Sequence, residues 1–152
     1  ESAAAGGVTA VVDMPNTNPF TSDLETFRAK ESIAASKSVV DFGIGVNVDQ
    51  NLTKQDWFDT IPAAFWKLYP YGISSYDFFS YASEVLDKTK KTLVIHCEHP
   101  DHMHNNPLNQ LSDHTQNRLI AEPECLASMP SSPYLHVAHL STFEGLKREF
   151  QN

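Results

Sequence analysis

An apolar, β-prone run ends abruptly on a histidine and an acid at Leu93-Val94-Ile95-His96-Cys97-Glu98. So short a run with polar flanks reads as a buried strand, with His96 at its carboxyl end, where parallel α/β folds keep their chemistry. Lys67 interrupts the apolar run Ala63 to Pro70, and His139 closes the run Tyr134 to Ala138. Two histidines from different strands, with a lysine among Phe65, Trp66, Leu68 and Tyr69, are the components of a metal site. An exposed ammonium with a pKa of about 10.4 neither binds metal nor acts as a base, but burial in apolar surroundings lowers that value. The neutral amine then takes up carbon dioxide as a carbamate, whose two anionic oxygens bridge two cations. Two Zn²⁺ ions held this way acidify water for metal-assisted hydrolysis.

Plainer readings stand beside these. A lone histidine is often a core residue satisfied by a backbone carbonyl, and a strand lysine often lays its stem along the sheet while its amine reaches solvent. A local zinc cluster of His96, His99, His102 and His104 with Cys97 or Glu98 has irregular spacing, and a strand would splay His96 away from the loop. Glu98 raises the thiol pKa of its neighbour Cys97 and so disfavours a cysteine nucleophile. Gly6-Gly7 precedes a strand, the wrong context for a phosphate-binding loop.

The bulk properties narrow the classes. The sequence has 152 residues, 41% hydrophobic and 20% charged, with a net charge of −8, a globular composition without the concentrated basic face that tracks nucleic acid. An acidic protein suits metal cations. Cys97 and Cys125 are too few for a disulfide framework and fit a reducing cytoplasm, with one bridge left open. No run approaches the roughly 20 apolar residues of a membrane span, and the amino end lacks the basic region of a signal peptide.

Strand and helix patterns alternate about five times. Val8 to Val12, Val39 to Val48, Ala63 to Pro70, Thr92 to His96 and Tyr134 to His139 read as strands. Thr21 to Ser38 (capped by Thr21 or Ser22, with Leu24, Phe27, Ile33 and Ala34 apolar), Thr53 to Phe58 (capped by Thr53), Tyr76 to Leu86, Leu119 to Met129 (Pro123 in its first turn) and Thr142 to Phe150 read as helices, and His99 to His114 as loop. Such alternation predicts a parallel sheet covered by helices. Asn16, Lys67, His96 and His139 each fall at or just past a strand's carboxyl end, and parallel strands bring those ends to one rim. Glu1 to Gly7 reads as the last turn of a helix with a glycine stop, so the chain is expected to be an excised piece of a larger protein.

The blocks Ala4 to Pro19 (with Met14-Pro15-Asn16-Thr17), Lys67-Leu68-Tyr69, Ile95-His96-Cys97-Glu98, Ala121-Glu122 and His136 to Thr142 resemble dihydroorotases of the amidohydrolase superfamily over essentially the whole chain. The Met-Pro-Asn-Thr block is the more specific; the lysine and histidine positions are shared with hydantoinases and allantoinases. The resemblance implies an α/β fold, part of a (β/α)₈ barrel with about five parallel strands, in which residues 1–152 form a central segment without the first and last strands. It implies a complete site of two Zn²⁺ ions, with Lys67 as the carbamylated bridge, an aspartate taking its place in some members, and His96 and His139 as ligands of one zinc. Asn16 would hold the substrate carboxylate and Ser74 or Ser75 would belong to a loop over the substrate, while Glu122 is assigned no role. The family's His-X-His pair and its general acid/base aspartate have no counterpart between residues 1 and 152, so the segment alone is expected to be inactive.

The implied activity is interconversion of dihydroorotate and N-carbamoyl-L-aspartate in pyrimidine biosynthesis, in the cytoplasm, with a second copy or another pyrimidine enzyme as possible partner. The alternatives are a non-catalytic scaffold subunit of the same fold and a hydantoinase or allantoinase relative.

Overall fold

The computed structural model describes residues 2–55, 57–103 and 111–149. They fall into two compact units, Glu1–Lys67 and Leu68–Asn152.

The first unit opens with a single helical turn, α1 (Ser2–Ala5), stopped by Gly7 at φ 83°. Strand β1 (Ala10–Asp13) pairs in parallel with β2 (Asp41–Asn47), and β2 with β3 (Phe65–Leu68). Between β1 and β2 runs α2 (Leu24–Lys37). Its cap is Asp23, rather than Thr21 or Ser22: the Asp23 carboxylate accepts from the Thr26 amide at 2.7 Å, and the Thr26 hydroxyl closes the box. An anionic acceptor satisfies an orphan amide of the first turn and complements the helix dipole, which a neutral hydroxyl does less well. Of the apolar residues expected to face the core, Phe27 is buried but Ile33 is 58% exposed. A short helix, α3 (Gln50–Gln55), begins earlier than Thr53, because the Asp49 carboxylate accepts from the amides of Asn51 and Leu52.

The core of this unit gathers Ile44, Val46, Val48, Leu52, Phe58, Ile61 and Trp66, with Phe58 edge-on to Trp66 at 5.2 Å. In β2 the run Ile44-Gly45-Val46 is continuously buried, as a parallel strand covered on both faces requires. Gly45 is dictated by its register partner: the Phe65 ring lies where a β-carbon would be.

In the second unit α4 (Ser75–Lys88) turns Phe78, Ala82 and Val85 inward. Strands β4 (Leu93–His96) and β5 (Leu135–Ala138) pair in parallel, with His96 opposite Ala138. The stretch expected to be loop contains two helical segments, α5 (Pro100–Met103) and the start of α6 (Leu111–Ser128). Pro123 therefore lies inside α6 rather than in its first turn. A proline there leaves helix carbonyls without their usual donors; nearby, the Ala121 and Glu122 carbonyls accept from the His99 amide at 3.0 Å and the Cys97 thiol at 3.7 Å. That ties α6 to the residues after β4. Helix α7 (Phe143–Glu149) follows β5. Cys97 and Cys125 are buried and unbridged, and among the described residues no helix is long and apolar enough to cross a membrane.

Candidate functional site

In the first unit, the segment after β1 is held by its own backbone: the Thr17 and Thr21 amides both donate to the Pro15 carbonyl, at 2.8 and 3.0 Å. Lys30 anchors the approach to it, donating to the Met14 carbonyl at 2.8 Å and pairing with Asp13 at 2.8 Å. Asn16 projects from this pinned segment and is exposed. Lys67, the third residue of β3, is 0% exposed between Trp66 and Leu68, which are equally buried. A solvent-reaching amine is thereby excluded.

The second unit holds Ser74, His96 and His139. Ser74 caps α4: its hydroxyl accepts from the Asp77 amide at 3.1 Å and donates to the Asp77 carboxylate at 2.7 Å. His96 ends β4, and His139 lies one residue beyond β5, whose Ala138 is the register partner of His96. The two imidazoles stand with ring centroids 5.5 Å apart, inclined at 62°. Zinc–nitrogen bonds of about 2.0–2.1 Å in a tetrahedral site put two such centroids roughly 5 Å apart, so the pair fits a shared cation of that kind. Among the described residues no three His, Cys, Asp or Glu side chains are grouped closely enough to hold a metal by themselves.

Around His96 lies a polar shell that no sequence pattern announces. Its Nε2 is 3.1 Å from both the Tyr71 hydroxyl and Glu98 Oε1. An ionised carboxylate only accepts, so against such a partner it is Nε2 of the ring that carries the donated proton. Glu98 is buried and also pairs with Arg118, Nη1 to Oε1 at 3.4 Å. The Tyr71 pKa is raised, by burial first and by Glu98 second, with Arg118 opposing; the Tyr69 pKa is raised by burial and by Tyr71. Both phenols are therefore neutral at physiological pH.

Glu122, to which the sequence assigned no part, is a heavily bonded acid of this unit. It is fully buried. It accepts from the Thr142 amide and hydroxyl at 2.8 and 2.6 Å, from the Ser141 amide and hydroxyl at 3.1 and 3.2 Å, and from Arg118 Nε at 3.4 Å. Burial pushes its pKa up, but the Thr142 and Ser141 donors outweigh that and leave it below the usual carboxylate range. Arg118 Nη2 donates to the His139 carbonyl at 2.7 Å, and His139 itself has φ 60°, a left-handed conformation costing an L-residue on the order of 1 kcal/mol. The visible signal for this pair was the four-residue spacing of Arg118 and Glu122 on a helix; its targets are set by tertiary structure. Of the suggested histidine cluster, His99 and His102 stand with ring centroids 5.8 Å apart, His102 bonding Glu124 at 2.7 Å and the His99 ring packing on Phe79 at 5.3 Å; among the described residues no third side chain completes a metal-holding group with them, and His104 lies outside those.

No model of a described protein family matches the chain. It is 34% identical to the dihydroorotase of Methanosphaera stadtmanae over 97% of its own length and 37% of that protein's. A stretch of 52 residues is 50% identical to the dihydroorotase of Methanosarcina mazei, covering 34% of this chain and 11% of that one. Among solved structures, the L-hydantoinase (dihydropyrimidinase) of Arthrobacter aurescens superposes with a TM-score of 0.65 at 22% identity, over 84% of this chain and 32% of the other. That likeness shows the fold: five parallel strands with their helices, as in part of an α/β barrel. The chain spans about a third of the length of the relatives it matches. Relatives named dihydroorotase thus run along nearly all of the chain, and its fold is shared with part of a hydantoinase.

Proposed function

We propose that the protein carrying this chain is a zinc-dependent cyclic amide hydrolase that interconverts dihydroorotate and N-carbamoyl-L-aspartate. The observation that supports this most is the approach of His96 and His139, 43 positions apart in the sequence, to a centroid distance of 5.5 Å at the ends of paired parallel strands. In this reading His96 and His139 would hold one cation, and Lys67, as a carbamate, would add anionic oxygen donors for the metal centre. Zinc supplies, when bound, the Lewis acidity that polarises an amide carbonyl and acidifies water at neutral pH. The chain's own residues bind and orient. Glu98 keeps the His96 proton on Nε2, Asn16 takes the substrate carboxylate, and Ser74 starts the helix at the edge of the substrate loop. The full burial of Lys67 favours the neutral amine that carbamate formation needs. The aspartate that moves the proton to the leaving nitrogen is not assigned to any residue of this chain, so the 152 residues alone are expected to be inert. Two unbridged cysteines agree with a cytoplasmic protein.

The test is ring opening of dihydroorotate by the full-length protein loaded with zinc, beside hydantoin and allantoin. Turnover of dihydroorotate that collapses in His96→Ala and His139→Ala establishes the reading. Preference for hydantoin or allantoin would move the protein to a sister activity, and folded, zinc-free, inactive protein would make it a scaffold subunit.

A further inference from the structure

Two side chains of α6 hold the residues just past β5. Glu122 holds the amides and hydroxyls of Ser141 and Thr142, two and three residues past His139. Arg118, one helical turn earlier and bonded to the same carboxylate at 3.4 Å, reaches the His139 carbonyl at 2.7 Å. Between these restraints His139 adopts its left-handed backbone at φ 60°. Such a conformation in a residue other than glycine persists only where its surroundings over-determine it. Even Gly145 belongs to the device, since a β-carbon there would come within 2.5 Å of Glu122 Oε1 and 2.7 Å of Thr142 Oγ1.

Thr142 caps α7, its hydroxyl accepting from the Gly145 amide at 3.0 Å, and a carboxylate that only steadied that cap would need the Thr142 bonds alone. The Arg118 arm has no capping purpose, for it ends on the backbone of the imidazole-bearing residue itself. We infer that Glu122 is a positioning residue: together with Arg118 it fixes residues 139–142 so that the His139 ring is presented to the cation in one orientation. The inference rests on the zinc reading above and extends it to a residue that touches neither cation nor substrate. Outer partners of metal ligands act this way by removing alternative ring orientations before the metal arrives.

The experiment measures zinc affinity of the full-length protein by chelator competition, with thermal unfolding and steady-state kinetics alongside. Glu122→Gln keeps the volume but turns one acceptor into a donor, which must face either the Thr142 amide or the Ser141 amide and Arg118. The folded variant is expected to bind zinc about tenfold or more weakly and to lose kcat while KM stays within about twofold. Arg118→Met leaves the bonds of Glu122 to Ser141 and Thr142 in place and removes the link to His139 together with the 3.4 Å pairs to Glu98 and Glu122; the same direction of change is expected, and should Glu122→Gln fail to fold, Arg118→Met decides the matter by a loss of zinc affinity larger than that of Glu98→Gln, which weakens the Glu98 pair alone. Wild-type zinc affinity and kcat in a folded variant would overturn the inference and leave the zinc reading standing. A wild-type protein that binds no zinc would overturn both.

Discussion

His139 joins two demands that seldom coincide, a ligating ring and a left-handed backbone. Asparagine tolerates that backbone about as well as any residue but glycine, so His139→Asn is expected to change unfolding free energy by no more than about 0.5 kcal/mol while removing one donor of the metal pair. Urea denaturation and zinc titration on the same sample separate the two effects. Glu122 makes a different prediction. Its folded pKa lies below the ordinary value of 4.5, so its contribution to stability is complete above that pH and is lost as pH falls through the depressed folded value. Stability measured from pH 7 down to pH 2 should show an acid limb that is shallower in Glu122→Gln. Of these residues, the histidines were legible because strand patterns end on them. Glu122 was not, since a buried acid on a helix declares itself only through the amides it meets, and these come from residues 19 and 20 positions later.

Elements were legible in order and type more often than in their ends. All five strands lie where apolar runs placed them, each shorter than its run, with β1 shifted one residue onward to end at Asp13, which still pairs with Ile44. Helix starts were misread where a hydroxyl and a carboxylate competed for the cap: Asp23 and Asp49 prevailed over Thr21, Ser22 and Thr53. Helix α6 starts eight residues ahead of the expected Leu119, since its polar first turns carry no apolar periodicity to announce it. The tightest element-level constraint is Gly45 beneath the Phe65 ring. Gly45→Ala should force that ring aside and destabilise the protein by about 1–3 kcal/mol, and Phe65→Leu in the same chain should recover part of the loss. A denaturant series on the single and double variants checks both.

At the scale of the molecule, Asn16 and Lys67 belong to the unit Glu1–Lys67 and the histidine pair to the unit Leu68–Asn152. A chain with a net charge of −8 accommodates divalent cations readily. Dipicolinate treatment of the full-length protein should abolish ring opening, and Zn²⁺ should restore it; mass spectrometry of the restored sample should show Lys67 heavier by one carbon dioxide. The alternation of strands and helices, and with it the fold class, was available from the sequence. The shell of Tyr71, Glu98 and Arg118 was not, because it depends on which side chains meet after the strands are paired.

Helix α6 grips the residues after β4 through the Ala121 and Glu122 carbonyls, and those after β5 through the Arg118 and Glu122 side chains. Both grips are indexed to a single rotational setting. One extra residue anywhere from 118 to 122 would turn everything beyond it by about 100° and release both histidine-bearing ends together. Length changes that a surface loop absorbs should therefore be barred from this short stretch of helix, whose register works as the protein's alignment key.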